Sequence, residues 1–145
     1  MLILTFTLIG EGAVILDIDG DSISDAWETE YFGGSNTVDA TSDYDGDGYS
    51  DYSEYVAGTD PRSNEYLKVE FDANGVLKFM TKAVSGSQSG QLRFYDMQYR
   101  SNLVAGSWLY LDGMTNLPAS GVYERFTNNP ATPVKFYRVE VRLEE

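Results

Sequence analysis

The residues best equipped for chemistry are carboxylates on a strict spacing. In the stretch Asp17-Ile18-Asp19-Gly20-Asp21-Ser22-Ile23-Ser24-Asp25-Ala26-Trp27-Glu28, acids stand at positions 1, 3, 5, 9 and 12, and the carbonyl of Ile23 is available at position 7. The pattern returns 26 residues later with Asp43, Asp45, Asp47, Asp51 and Glu54, and with the carbonyl of Tyr49. Alternate side chains of a tight loop converge on one point, which suits a hard cation taking about six to eight oxygens at about 2.3–2.6 Å. Ca²⁺ fits this donor set better than Mg²⁺, which keeps several waters. The expectation is one Ca²⁺ in each loop, two in all.

Charge supports that expectation. Fourteen Asp and Glu residues lie between Glu11 and Asp60, and no Lys or Arg occurs before Arg62. A folded segment with so many uncompensated carboxylates repels itself unless bound cations neutralise it. The formal net charge of −13 also argues against nucleic acid and anionic membrane surfaces as partners. The chain has no His and no Cys, which removes the usual ligands of Zn, Cu and Fe, the commonest general base and the thiolate nucleophile. With no Gly-rich phosphate loop either, no catalytic role is expected.

The loops need elements to hold them. Helices are expected over Asp25 to Phe32 and Asp51 to Ala57, each following its loop and each closed by a glycine. Trp27 and Tyr31 would share one helix face, and Tyr52 and Val56 the other helix's. Beyond Asp60-Pro61 the pattern becomes short alternating strands: Tyr66 to Asp72, Val76 to Lys82, Gln91 to Arg100, Ser107 to Leu111, Gly121 to Phe126 and Val134 to Leu143. Asn74-Gly75 marks a hairpin between the first two. The fold class expected is therefore mainly β, in three segments: an N-terminal β-strand and hinge over 1–16, a tandem loop module over 17–62, and an antiparallel β-sandwich over 63–145. Phe94, Tyr99, Trp108, Tyr110, Phe136 and Tyr137 are expected to fill the sandwich core.

The two loops resemble thrombospondin type 3 repeats and related EF-hand-like loops, with an apolar residue at position 7 (Ile23, Tyr49) and Asp at position 9. Asp45-Gly46-Asp47-Gly48 and then Glu54-Tyr55-Val56-Ala57-Gly58-Thr59-Asp60-Pro61 are similar to a tandem module of secreted bacterial proteins. There it is often followed by a fibronectin-like or immunoglobulin-like β-sandwich. The resemblance implies calcium binding outside the cell and adds Asp39 and Asp60 as residues that would complete or bridge the shells. One departure is Ser22, which stands where such loops carry glycine; the second loop has Gly48 there.

The segment Leu2 to Ile9 alternates as a strand, with Leu2, Leu4, Phe6 and Leu8 on one face, and Gly10 and Gly12 follow as a joint. It is too short to span a bilayer and no basic residue precedes it, so it is expected in the mature fold rather than in a leader. A tethered apolar strand can complete its own sheet or add to a neighbour's sheet edge. The function expected is an extracellular or cell-surface, calcium-stabilised structural protein, a subunit of a homo-oligomer or filament joined through Leu2, Leu4, Phe6 and Leu8. The alternatives are a calcium-dependent carbohydrate-binding or adhesion module and a non-catalytic spacer of a secreted enzyme.

Overall fold

A computed structural model describes residues 15–127 and 135–144. The strand expected over Leu2 to Ile9 lies outside the described residues.

Two short helices, α1 (Asp25–Phe32) and α2 (Asp51–Ala57), follow the two acidic loops. Their ends are dictated locally. The Ser24 hydroxyl accepts from the Trp27 N–H and the Ser50 hydroxyl from the Ser53 N–H, satisfying donors that a helix start leaves free. Gly33 (φ 83°) and Gly58 (φ 75°) close the helices in the left-handed conformation.

The rest is mainly β, in two antiparallel sheets. One sheet orders β1 (Val69–Phe71), β2 (Val76–Met80) and β6 (Tyr123–Thr127) as β1-β2-β6. In the other, β3 (Leu92–Arg100) is central: β7 (Phe136–Glu144) pairs with it along its whole length, and the short β4 (Leu109–Tyr110) and β5 (Leu117–Pro118) share its other side. The β1–β2 hairpin turns through Asp72, whose carboxylate accepts from the N–H groups of Asn74 and Val76, and Gly75 supplies the positive φ of 75°.

Leu77 and Phe79 of the first sheet, Tyr95 and Met97 of the second, and Leu111 and Met114 form one buried core. This corrects the core expected from sequence. Odd-numbered residues of β3 face inward, so Phe94 lies on the outer face beside Arg142, while Tyr110 is exposed and Trp108 sits between the guanidiniums of Arg100 and Arg138. Tyr99 and Tyr137 do pack against the core, and Phe136 lies at the surface.

A second core, Ile23, Trp27, Val38 and Tyr55, belongs to the loop segment, with Tyr31, Phe32, Val56 and Leu143 of β7 packed on it. On α2 the residue turned inward is Tyr55, and Tyr52 is exposed.

The two parts meet at Arg93, which is almost fully buried. Its Nε donates to the Val56 carbonyl (2.7 Å), its Nη2 to the Tyr55 carbonyl (3.3 Å) and to Gln88 Oε1 (2.6 Å), and its Nη1 to the Lys82 carbonyl (3.3 Å). A cation on the last carbonyls of a helix also complements the helix dipole.

Candidate metal centre

The sequence repeat is a repeat of hydrogen bonds. Asp17 Oδ1 accepts from the Gly20 N–H (2.7 Å) and its Oδ2 from the Ser22 N–H (3.0 Å); Asp43 does the same with Gly46 (2.8 Å) and Gly48 (3.0 Å). Asp21 Oδ1 takes the Ile23 N–H (2.7 Å), as Asp47 Oδ1 takes that of Tyr49 (2.9 Å). Glycines at position 4 with φ of 78° and 76° let each loop fold back. At position 6, Gly48 (φ 97°) is matched by Ser22, which adopts φ 75° despite its side chain.

Folded in this way, Asp17, Asp19 and Asp21 bring carboxylate oxygens within 4.8 Å of one another, and so do Asp43, Asp45 and Asp47. Either triplet could hold a metal ion. The glutamates at position 12 are sequestered beneath. Glu28 is fully buried; its Oε1 accepts from the N–H groups of Asn36 (2.9 Å), Thr37 (2.7 Å) and Val38 (3.3 Å), and its Oε2 has no partner. Glu54 takes the Thr59 hydroxyl on Oε1 (3.3 Å) and likewise leaves Oε2 buried and unpaired.

Four of the six buried side-chain atoms without a hydrogen-bond partner among the described residues are carboxylate oxygens of these loops: Asp21 Oδ2, Glu28 Oε2, Asp45 Oδ2 and Glu54 Oε2. A buried anionic oxygen with no donor is costly, and two such oxygens per loop give a hard cation the anionic donors it prefers. The acidities register the same crowding. Burial, with the charges of Asp45, Asp47 and Asp51, pushes the Glu54 carboxyl up to about 8. Burial also raises Asp19 and Asp21, with Glu28 adding its repulsion to both. For Asp17, burial is outweighed by the Gly20 and Ser22 N–H groups, and its carboxyl is lowered.

The remaining candidates have other engagements. Asp25 Oδ1 accepts from the Ile18 N–H (3.0 Å), and Asp51 accepts from the Tyr44 N–H (3.3 Å) and the Ser42 hydroxyl, so both close their loops from the helix start. Asp39 receives the Thr41 hydroxyl and N–H, both at 2.7 Å, which hold its carboxyl low. Asp60 is paired with Arg62 at 3.0 Å, and that bond likewise holds its carboxyl low. Ile23 is a core side chain with its main chain in the loop, while Tyr49 is exposed and stacks on Tyr66 at 6.1 Å.

Sequence reading missed the supports behind the glutamates. Thr59 occupies the Gly-Thr-Asp-Pro turn after α2, where a hydroxyl five residues past Glu54 is a legible signal; the backbone of Asn36 to Val38 carries no side-chain signature. Neither a protein-family model, nor a curated protein, nor a solved structure matches this chain.

Proposed function

We propose that this is an extracellular calcium-stabilised structural protein in which each acidic loop holds one Ca²⁺. The observation that carries the calcium reading is the pair of buried, donorless carboxylate oxygens in each loop. An all-oxygen, strongly anionic donor set in flexible loops favours Ca²⁺ over softer ions and over Mg²⁺. Loops of extracellular type bind with Kd of about 10⁻⁴ to 10⁻³ M, so external calcium fills them. The ions then fix α1 and α2 against the β part, which we read as a small sandwich. On this reading the module is a rigid connector, and the apolar segment Leu2 to Ile9 joins one subunit to the next in a filament or surface layer.

A carbohydrate-binding role gains less support, because Trp108 presents its ring to Arg100 and Arg138, at 4.7 and 4.6 Å, rather than to an open face.

Calorimetric titration of the chelated protein with Ca²⁺ tests the calcium reading. Two binding events weakened by Mg²⁺ only at large excess are expected; no heat at millimolar Ca²⁺ would sink it.

A further inference from the structure

A groove of about 810 Å³ opens between β1, β7 and α2. Its walls include Leu67 and Val69 on one side, Val139 and Val141 of β7 on the other, and Val56 of α2, with Tyr66 at the rim. These aliphatic side chains are only half-buried although Leu67, Val69, Val139 and Val141 pack against the main core. The core is thus incompletely covered along this seam. Among the described residues, β3 is the only strand paired with β7, so the other edge of β7 has no strand partner there.

We infer that this groove is the acceptor for the N-terminal segment Leu2–Ile9 of a second copy of the chain, added as a strand along the edge of β7. The inference rests on the assembly reading proposed above and names its receiving surface. A strand edge offers main-chain donors and acceptors, and the seam beside it takes every second side chain of an added strand. Leu2, Leu4, Phe6 and Leu8 supply that alternation, and residues 1–10 carry no charge. Eight residues extend about 26 Å against about 30 Å for the nine of β7.

The segment joins the described chain at α1 rather than at the helix that borders the groove. The described chain begins at Ile15, and the Leu16 carbonyl accepts from the Asp25 N–H (2.9 Å), which roots the segment at the start of α1. Helix α1 packs on the turn at Gly86–Gln88, whereas the groove is bordered by α2, which packs on β7.

The full chain in millimolar calcium provides the test, by sedimentation of the wild type, of Phe6→Asp, of Val139→Asp, and of the two variants mixed in equal amounts. Phe6→Asp disables the strand and keeps the groove; Val139→Asp does the reverse. The expected result is polymer for the wild type, monomer for each variant alone, and a dimer that grows no further for the mixture. Where Val139→Asp has lost the wild-type far-UV spectrum, Leu67→Asp, outside every strand, takes its place. A folded groove variant that polymerises like the wild type overturns the groove while leaving assembly intact. A mixture that stays monomeric overturns donation between copies. A wild-type monomer overturns the assembly reading itself, and with it this inference.

Discussion

The Nε of Arg93, on the central strand β3, lies 2.7 Å from the carbonyl oxygen of Val56 in the last turn of α2. The same helix carries Glu54 two residues earlier, so one guanidinium ties the second acidic loop to the sheets. Among the described residues no carboxylate pairs with it; it donates to carbonyls and to the Gln88 side chain, and Tyr95 lies beside it. Burial consequently lowers the pKa of its guanidinium, as desolvation of a cation must.

Arg93→Met should therefore destabilise the protein by on the order of 3 kcal/mol, because it strands the buried carbonyls of Tyr55, Val56 and Lys82. Arg93→Lys should recover only part of this, since an ammonium cannot span the fork. Urea unfolding of the calcium-loaded protein measures both; a loss below about 0.5 kcal/mol for the methionine variant would show that the junction is not what Arg93 secures.

Ser22 holds a left-handed φ of 75° where its counterpart is Gly48. The conformation costs a residue with a Cβ roughly 1–2 kcal/mol, and glycine gives back about 0.5–1 kcal/mol of backbone entropy. Ser22→Gly should stabilise the protein by about 0.5–1 kcal/mol and tighten the first site, while Gly48→Ser should weaken the second. Paired melting and titration curves decide it, and an unchanged Ser22→Gly protein would mean that the strain is relieved elsewhere.

How far the sequence carried these conclusions differs between the halves. Both helices occupy the spans expected, because serine caps and closing glycines are local signals. Most strands also fall within the expected runs. The phase of β3 was not legible: Leu92-Arg93-Phe94-Tyr95-Asp96-Met97-Gln98-Tyr99 carries an aromatic on either face, so alternation alone does not choose the buried one. Tertiary structure chooses it by seating Tyr95 and Met97 in the core and Arg93 under α2. The short edge strand Leu117–Pro118 was missed because proline argues against a strand except at an edge. In the candidate site the triplets follow from spacing, but the unpaired second oxygens of Glu28 and Glu54 depend on what packs behind them.

Without cation, the Glu54 carboxyl sits at about 8 against an ordinary 4.5, so the folded state holds a proton that the unfolded chain has released. The contribution of Glu54 to the stability of the chelated protein should accordingly be full below about 4.5 and be lost as pH rises through about 8. Bound calcium replaces that proton, which removes the decline and makes calcium affinity increase with pH over the same window. Melting temperatures in EGTA and in calcium across this range provide the check; parallel pH profiles would show that Glu54 and the ion do not share a site.

Glu28→Gln and Glu54→Gln should each weaken one titration event and spare the other, since each removes a charge from one loop only. The second substitution should cost more if the left-handed Ser22 already weakens the first loop. Calorimetry returning two unaltered sites for both variants would refute the ligand assignment.

Chelation should act on the loop segment before the sheets, because the two cores are separate and, among the described residues, the carboxylate triplets lie in the loops. Each core region has its own reporter. Trp27 is buried against Tyr31, Phe32 and Tyr55 in the loop segment, whereas Trp108 lies on the sheet between Arg100 and Arg138. Calcium at ~100 times its Kd contributes about 2.7 kcal/mol per site, so withdrawing two ions removes a large share of the stability of a small unit. In a Trp108→Phe variant, EGTA should shift the Trp27 emission to the red as the ring meets water. In a Trp27→Phe variant, the Trp108 emission should hold until heat or urea unfolds the sheets. The Arg93 junction predicts one qualification: the sheets melt at lower temperature once the loops have opened, because the carbonyls of Tyr55 and Val56 no longer hold its guanidinium in place. Simultaneous loss of both signals at the lowest EGTA concentration would instead make the chain a single cooperative unit, with the ions stabilising the whole of it.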